Sequence, residues 1–356
     1  MAAMSDISIW RGPVADAPNF NANLGALLRG EAPQRTVLFE FYHNVELMSF
    51  IAGDRPGELD YVREIRAWAA LGYDYANLGA KNGFGFPSGK KHHEKTVSLN
   101  EGAVITDRAS LERYAWPVVA NLDWSYLDTA AAALVPGQKL MACGPGGVLE
   151  NTISLVGFEH LCELLADDPD LVQDVFDKVG SCLLAYYQRV MPHPAVGLLM
   201  SNDDWGFKTQ TMLSPKQMRR FVFPWHERIV ACAHAAGKPA VLHSCGNLAS
   251  VMDDVIDGMK YNGKHSYEDA IMRVEEASAR WGSRIAILGG IDLDYLCRTP
   301  PAVVKQRAAA LIAASGGRWA VGTGNSVPPW IPREAFLALI EAGVAGRPRQ
   351  ARGVAA

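Results

Sequence analysis

Residues 196–205 read VGLLMSNDDW and residues 240–247 read AVLHSCGN: two short apolar runs, each ending in a burst of polar, chemistry-bearing side chains. Between them Ser214 and Pro215 form a helix opening, a cap residue followed by proline in the first turn, and the helix they start runs to Gly237. Strand, helix and strand in that order predict two parallel neighbours in one sheet.

Working outward, the same alternation repeats. Upstream lie apolar runs at 36–41 (TVLFEF), 73–78 and 139–143 (KLMAC, closed by Gly-Pro-Gly-Gly), with helical stretches at 59–71, stopped by Gly72, and at 157–191. Downstream come a weaker run at 259–262, stronger ones at 284–288 and 318–321, and a last helix over 332–342. Eight strands with helices between them predict an α/β fold, a single (β/α)8 TIM barrel over residues 35–343, the alternative being an open doubly wound sheet. Residues 1–34 precede it as an N-terminal segment, and 344–356 read as a flexible tail. The connection 79–136 is too long for a simple crossover. Its Gly-rich basic part, 80–95, reads as a solvated loop or a lid over the barrel mouth.

The composition fits that fold. The chain has 356 residues, 49% hydrophobic and 20% charged, as expected of a globular protein with a large core. A net charge of -4, with both signs interspersed, gives no reason to expect nucleic acid or an anionic membrane as partner. The six cysteines are scattered without a Cys-x-x-Cys pair, which favours reduced thiols and a cytoplasmic setting. No signal-peptide pattern opens the chain, and no run approaches the roughly 18 apolar residues of a membrane span. A small-molecule substrate is expected, with a homodimer as a possible assembly.

Active sites of such barrels are built at the C-terminal ends of the strands. The residues found there are Glu40, Tyr42 and His43 after the first run, Asn77 in the second, and Cys143 after the third. Asn202, Asp203, Asp204 and Trp205 follow the fourth; His243, Cys245 and Asn247 the fifth; Lys264, His265, Glu268 and Asp269 the sixth; Asp292 the seventh; Asn325 the eighth. His243 and Cys245, two apart on an extended segment, share a face. An imidazole and a thiolate suit zinc; the bland alternative is a structural histidine beside a buried thiol. His265, on the neighbouring strand, is a third ligand or a general base. Of the aspartate pair only one can face the axis, and Asp204 is the choice, as acid, ligand or anchor, against a helix-capping role. Glu40, a carboxylate inside an apolar strand, requires a partner or a catalytic role. Tyr42, His43, Asn77, Asn202, Trp205, Asn247, Asp292 and Asn325 complete the set as substrate contacts. Glu268 and Asp269 read as a helix start.

These motifs also carry a family resemblance. Asp-Asp-Trp-Gly-Phe at 203–207, Ser214-Pro215, His-Ser-Cys-Gly-Asn at 243–247, Ile-Leu-Gly-Gly-Ile-Asp at 287–292 and Gly-Thr-Gly-Asn-Ser at 322–326 resemble, in this order, the uroporphyrinogen decarboxylase superfamily. The resemblance spans about 35–343 and implies a (β/α)8 barrel. It includes porphyrinogen decarboxylases and cobalamin-linked methyltransferases that use zinc to activate a thiol. The Arg-rich N-terminal segment of the true decarboxylases is absent, since 36–50 holds no arginine. The methyltransferase pattern is matched at His243 and Cys245, whereas its distal cysteine is replaced near Asn325, so that His265 or Asp204 must complete the site or the metal is lost. The resemblance therefore implies a zinc-assisted methyltransferase, moving a methyl group from a methyl-corrinoid or O-methyl donor to a thiol. No cobalamin-binding motif is present, so a corrinoid would arrive on a partner protein. The alternatives are a metal-free decarboxylase or lyase, with Asp204 and His265 handling the proton on a small carboxylate or aromatic acid, and a tetrapyrrole-binding protein without chemistry.

Overall fold

Seven strands run parallel in chain order in the computed structural model, which describes residues 12, 16–89 and 98–345. They are β1 (Tyr75–Leu78), β2 (Lys139–Cys143), β3 (Val196–Asn202), β4 (Ala240–His243), β5 (Gly263–His265), β6 (Ala286–Leu288) and β7 (Trp319–Ala320). Nearly every strand residue is buried, as expected when helices cover a parallel sheet.

The ladder differs from the eight strands predicted. Residues 36–41 do not form a regular strand: Leu38 makes a single parallel bridge to Val321, and His43 another to Val327. On the β7 side the backbone is paired, Phe39 donating to the Val321 carbonyl at 2.8 Å and Val321 to the Val37 carbonyl at 2.8 Å. Toward β1 the bonds run through side chains: Tyr75 Oη meets the backbone of Glu40, and Asn77 Nδ2 donates to the Phe41 carbonyl at 2.8 Å. On this side two polar side chains of β1 take the place of a backbone ladder.

A second difference lies at β5. The apolar signal at 259–262 falls on a turn, with Lys260 at φ 63° after the π-helical turn Asp254–Gly258, and the strand is the polar-looking Gly-Lys-His that follows. Hydrophobicity misplaces the strand because its buried side chains, Lys264 and His265, are polar. The helix opened by Ser214 has the capping box with Gln217 and runs on to Ala235, with a π-turn, Met218–Val222, set into it before Phe223–Ala235. Pro224 lacks an N–H and its ring would crowd the carbonyl four residues back, which the wider turn relieves. The stretch 157–191 is likewise two helices, Phe158–Asp167 and Pro169–Val190, with Asp168 capping the second through the Leu171 amide.

The helix Asp60–Leu71 ends as predicted on Gly72, whose φ of 92° suits glycine. The helix Leu24–Leu28 is wholly buried, and a Cβ at Gly263 would meet Leu28 at 2.8 Å, so residues before 35 pack against the start of β5. The connection 79–136 holds the helices Arg108–Arg113 and Ser125–Ala133. The basic centre of the loop assigned to 80–95 lies outside the described residues from 90 on, as does the tail from 346.

Candidate functional site

Register brings the polar strand ends to one level: Asn202 of β3 is paired with His243 of β4, and His243 with His265 of β5. The loops beyond β3 and β4 then lock together. Gly246, at φ 85°, passes so close to Gly206 that a Cβ there would lie 2.1 Å from its carbonyl oxygen; only glycine fits. The Cys245 amide donates to Asp204 Oδ1 at 2.8 Å. The result is a cluster of Asp204, His243 and Cys245 whose donor atoms all lie within 4.8 Å of one another. His243 Nε2 stands 3.8 Å from Cys245 Sγ and 4.0 Å from Asp204 Oδ1.

Hydrogen bonding decides which nitrogen of His243 is free. His265 Nε2 lies 3.2 Å from the Thr323 carbonyl, which only accepts, so this nitrogen carries hydrogen. His265 Nδ1 is therefore an acceptor, and the 2.7 Å contact between the two Nδ1 atoms requires His243 Nδ1 to donate. His243 Nε2 is left with a lone pair directed at Cys245 and Asp204. Burial keeps both rings neutral, lowering His265 to about 3 and His243 well below its ordinary value. The His243–Asp204 contact is thus not an ion pair.

Cys245 Sγ receives two donors: Asn325 Nδ2 at 3.1 Å and Ser266 Oγ at 3.5 Å. Asn325 is oriented by its own Oδ1, which accepts from the Ser326 amide at 2.7 Å. Burial, reinforced by the Asp204 carboxylate, pushes the thiol up to about 12, and burial raises Asp204 as well. A dication between them would reverse both shifts, because it stabilises the anionic forms. The donors suit such an ion. Tetrahedral zinc with bonds of about 2.0–2.3 Å places its ligands roughly 3.3–3.7 Å apart, so the 3.8 Å His243–Cys245 contact would shorten slightly and the 4.0 Å His243–Asp204 contact by more than about half an ångström. One coordination position would remain open, as in catalytic sites.

Several predicted site residues are placed otherwise. His265 is not in the donor cluster; with both nitrogens engaged it orients His243 and is free neither as ligand nor as general base. Glu40 is fully buried and committed to Thr323, one oxygen to its amide and the other to Oγ1 at 2.7 Å, so it is not presented as a catalytic group. Burial pushes its carboxyl up to about 8. His43 lies in the core against Trp68, 4.4 Å between ring centroids, and burial lowers it to about 3. Trp205 is fully buried against Phe223 and His226. Asp292 caps the helix Leu293–Arg298 and takes the Asp269 amide. Asn247 caps a turn through the Ala249 amide, and Asn77 ties down Phe41. His43 and Trp205 are core residues, whereas Asn247 lines a cavity beside Lys264, Ser266 and Glu268. Tyr42 is exposed at 44%, and Asn202 donates to Glu150 Oε2 at 3.1 Å.

Several residues to which the sequence reading gave no site role also surround the cluster. Asp203, inward and fully buried, accepts the Leu149 and Glu150 amides at 2.9 and 2.8 Å and pairs with His226 Nε2 at 2.9 Å. His226 Nδ1 in turn meets Tyr261 Oη and Ser201 Oγ. The set imitates a Ser-His-Asp triad but is sealed from the mouth, and it anchors the helix Val148–Val156. That helix brings Glu150 beside Asp204; burial and the neighbouring Asp203 and Asp204 carboxylates raise it well above its usual range. Lys264 is buried with its ammonium on the Ser266 carbonyl and 4.3 Å from the Tyr267 ring centroid, and burial lowers it to about 8.

A parallel α/β sheet with an imidazole, thiol and carboxylate converging beyond its strand ends defines the class. Residues 130–344 match the family model described as uroporphyrinogen decarboxylase (URO-D), and the chain belongs to that family. Among solved structures it is similar to a methyltransferase from Methanosarcina mazei, with 19% identity and a TM-score of 0.67 over 92% of this chain and 98% of that one. A putative vitamin-B12 independent methionine synthase from Listeria monocytogenes is more distant, with 11% identity, a TM-score of 0.42, and 62% and 70% covered. At these identities the likeness is one of fold. No curated protein sequence is significantly similar.

Proposed function

We propose that this chain is a methyltransferase that uses a zinc ion, held by Asp204, His243 and Cys245, to present a thiol acceptor to a methyl donor, either an O-methyl compound or a methyl-corrinoid carried by a partner protein. The observation that carries the reading is the lone pair of His243 Nε2, aimed at a thiol and a carboxylate by the His265–Thr323 relay. A ligating histidine whose second nitrogen is bonded outward is the usual support of a metal site. The fold shared with the Methanosarcina mazei methyltransferase agrees with it. When bound, the metal would lower the acceptor's pKa so that it is thiolate at neutral pH.

The protein's own groups then have definable tasks. His265 holds the His243 ring and tautomer; Asn325 and Ser266 place donors on Cys245 Sγ; the Cys245 amide fixes Asp204. In the transfer the acceptor sulfur forms the new bond to the methyl carbon, and the donor's bond to that carbon breaks with its electron pair. The acceptor's proton is lost when its thiol binds. Of the two proton carriers of the decarboxylase reading, His265 has both nitrogens engaged, which leaves that reading Asp204 alone. We read residues 35–343 as one barrel domain, with 36–43 standing where an eighth strand would close it. The six cysteines are unpaired, and no helix among the described residues is long and apolar enough to cross a membrane. The test is methyl transfer to a small thiol by metal-loaded protein: His243→Ala and Cys245→Ser should abolish both metal and turnover, and turnover that survives either change overturns the proposal.

A further inference from the structure

Ser266 and Lys260 are the described non-glycine residues with positive φ. Lys260 is exposed after a helical turn, a common place for that conformation, whereas Ser266 is buried, one residue beyond β5, with φ at 83°. Glycine would adopt this backbone without strain, and a serine persists there only where its surroundings over-determine it. They do. The Lys264 ammonium, itself buried, grips the Ser266 carbonyl, and the next amide, of Tyr267, donates to the Gly324 carbonyl at 3.0 Å. The side chain so placed is a hydroxyl 3.5 Å from Cys245 Sγ.

We infer that Ser266 is a positioning residue for Cys245: its strained backbone, clamped by Lys264, aims a hydroxyl donor at the sulfur so that Cys245 is presented toward Asp204 and His243. Asn325, the other donor to the sulfur, comes from the loop after β7, so the two hold it from separate elements. The inference rests on the metal-site reading only for the purpose the aimed sulfur serves; the strain and the hydrogen bond stand apart from it.

Two variants separate strain from donation. Ser266→Gly removes both the hydroxyl and the strain; Ser266→Ala removes the hydroxyl and keeps the strain. Metal-free Ser266→Gly should melt above metal-free Ser266→Ala. Cobalt(II), used as the probe ion, should bind both variants about tenfold or more weakly than the parent, in the range found when an outer-shell partner is lost, with a shifted cobalt–thiolate absorption band. Parent-like cobalt affinity and band in both variants would overturn the inference. If the parent itself binds no cobalt(II) or zinc, the metal reading fails, and a melting cycle in metal-free protein decides the Ser266 role. The loss caused by Ser266→Ala should then shrink in a Cys245→Ala background; an equal loss in both backgrounds would show that the hydroxyl does not serve Cys245.

Discussion

Thr323 has one hydroxyl hydrogen and two acceptors within reach, Glu40 Oε2 and the Asn325 carbonyl. The conflict is resolved if Glu40 is protonated: its O–H donates to Thr323 Oγ1, Thr323 donates to Asn325, and the remaining Glu40 oxygen takes the Thr323 amide. This agrees with a carboxyl that burial raises to about 8. The folded-state pKa lies above the unfolded value near 4.3, so the folded protein binds the extra proton between them. Its contribution to stability is full below about 4.3 and is lost as pH rises through about 8. Glutamine reproduces the pattern of the protonated acid. Glu40→Gln should keep activity and flatten the decline in denaturant midpoint between pH 5 and 8; an inactive variant would restore Glu40 as a catalytic group. His265→Ala should weaken zinc binding by about tenfold or more through loss of the His243 tautomer, whereas Asn325→Ala, which removes one donor to the sulfur and no proposed ligand, should remain loaded with metal. Dialysis against a competing chelator with metal analysis checks both. At this scale the sequence singled out His243, Cys245 and Asp204, which the fold brings into one cluster, because strand-end position and two-residue spacing are readable without coordinates. The bonding of His265 and Glu40 was not readable, because whether a polar group faces the mouth or a neighbouring backbone depends on partners 58 and 283 residues away.

Asp203 shows how elements are joined. It links the end of β3 to the first turn of Val148–Val156 and, through His226, to Phe223–Ala235. Asp203→Ala would leave two amides and a buried histidine without their acceptor, a loss of about 3–5 kcal/mol for a broken buried pair. Denaturant unfolding should show at least about 3 kcal/mol of destabilisation; a change below about 1 kcal/mol would mean the network is slack. Helix boundaries marked by strong local signals, such as Gly72 and Ser214, follow from sequence, whereas the break at Asp168 inside 157–191 does not. The placement of β5 does not, since its polar residues serve the site and hide the apolar signal by which strands are read.

Across the whole molecule, the parallel order of the strands and the family were legible; the mode of closure was not. Residues 36–43 meet β1 through the side chains of Tyr75 and Asn77, a pairing that sequence periodicity does not register. The first of the chain's arginines next to that segment, Arg35, is bound to Asp16 and Asp74 at 2.6 and 2.7 Å and is not available to grip a polycarboxylate. Uroporphyrinogen III should therefore not be decarboxylated; coproporphyrinogen formed above the uncatalysed background would contradict the methyl-transfer reading. The most direct test of the central claim is elemental analysis of protein purified without chelator. About one equivalent of zinc is expected, falling together in Asp204→Ala, His243→Ala and Cys245→Ser. Less than about a tenth of an equivalent, in protein that keeps full activity, would contradict it.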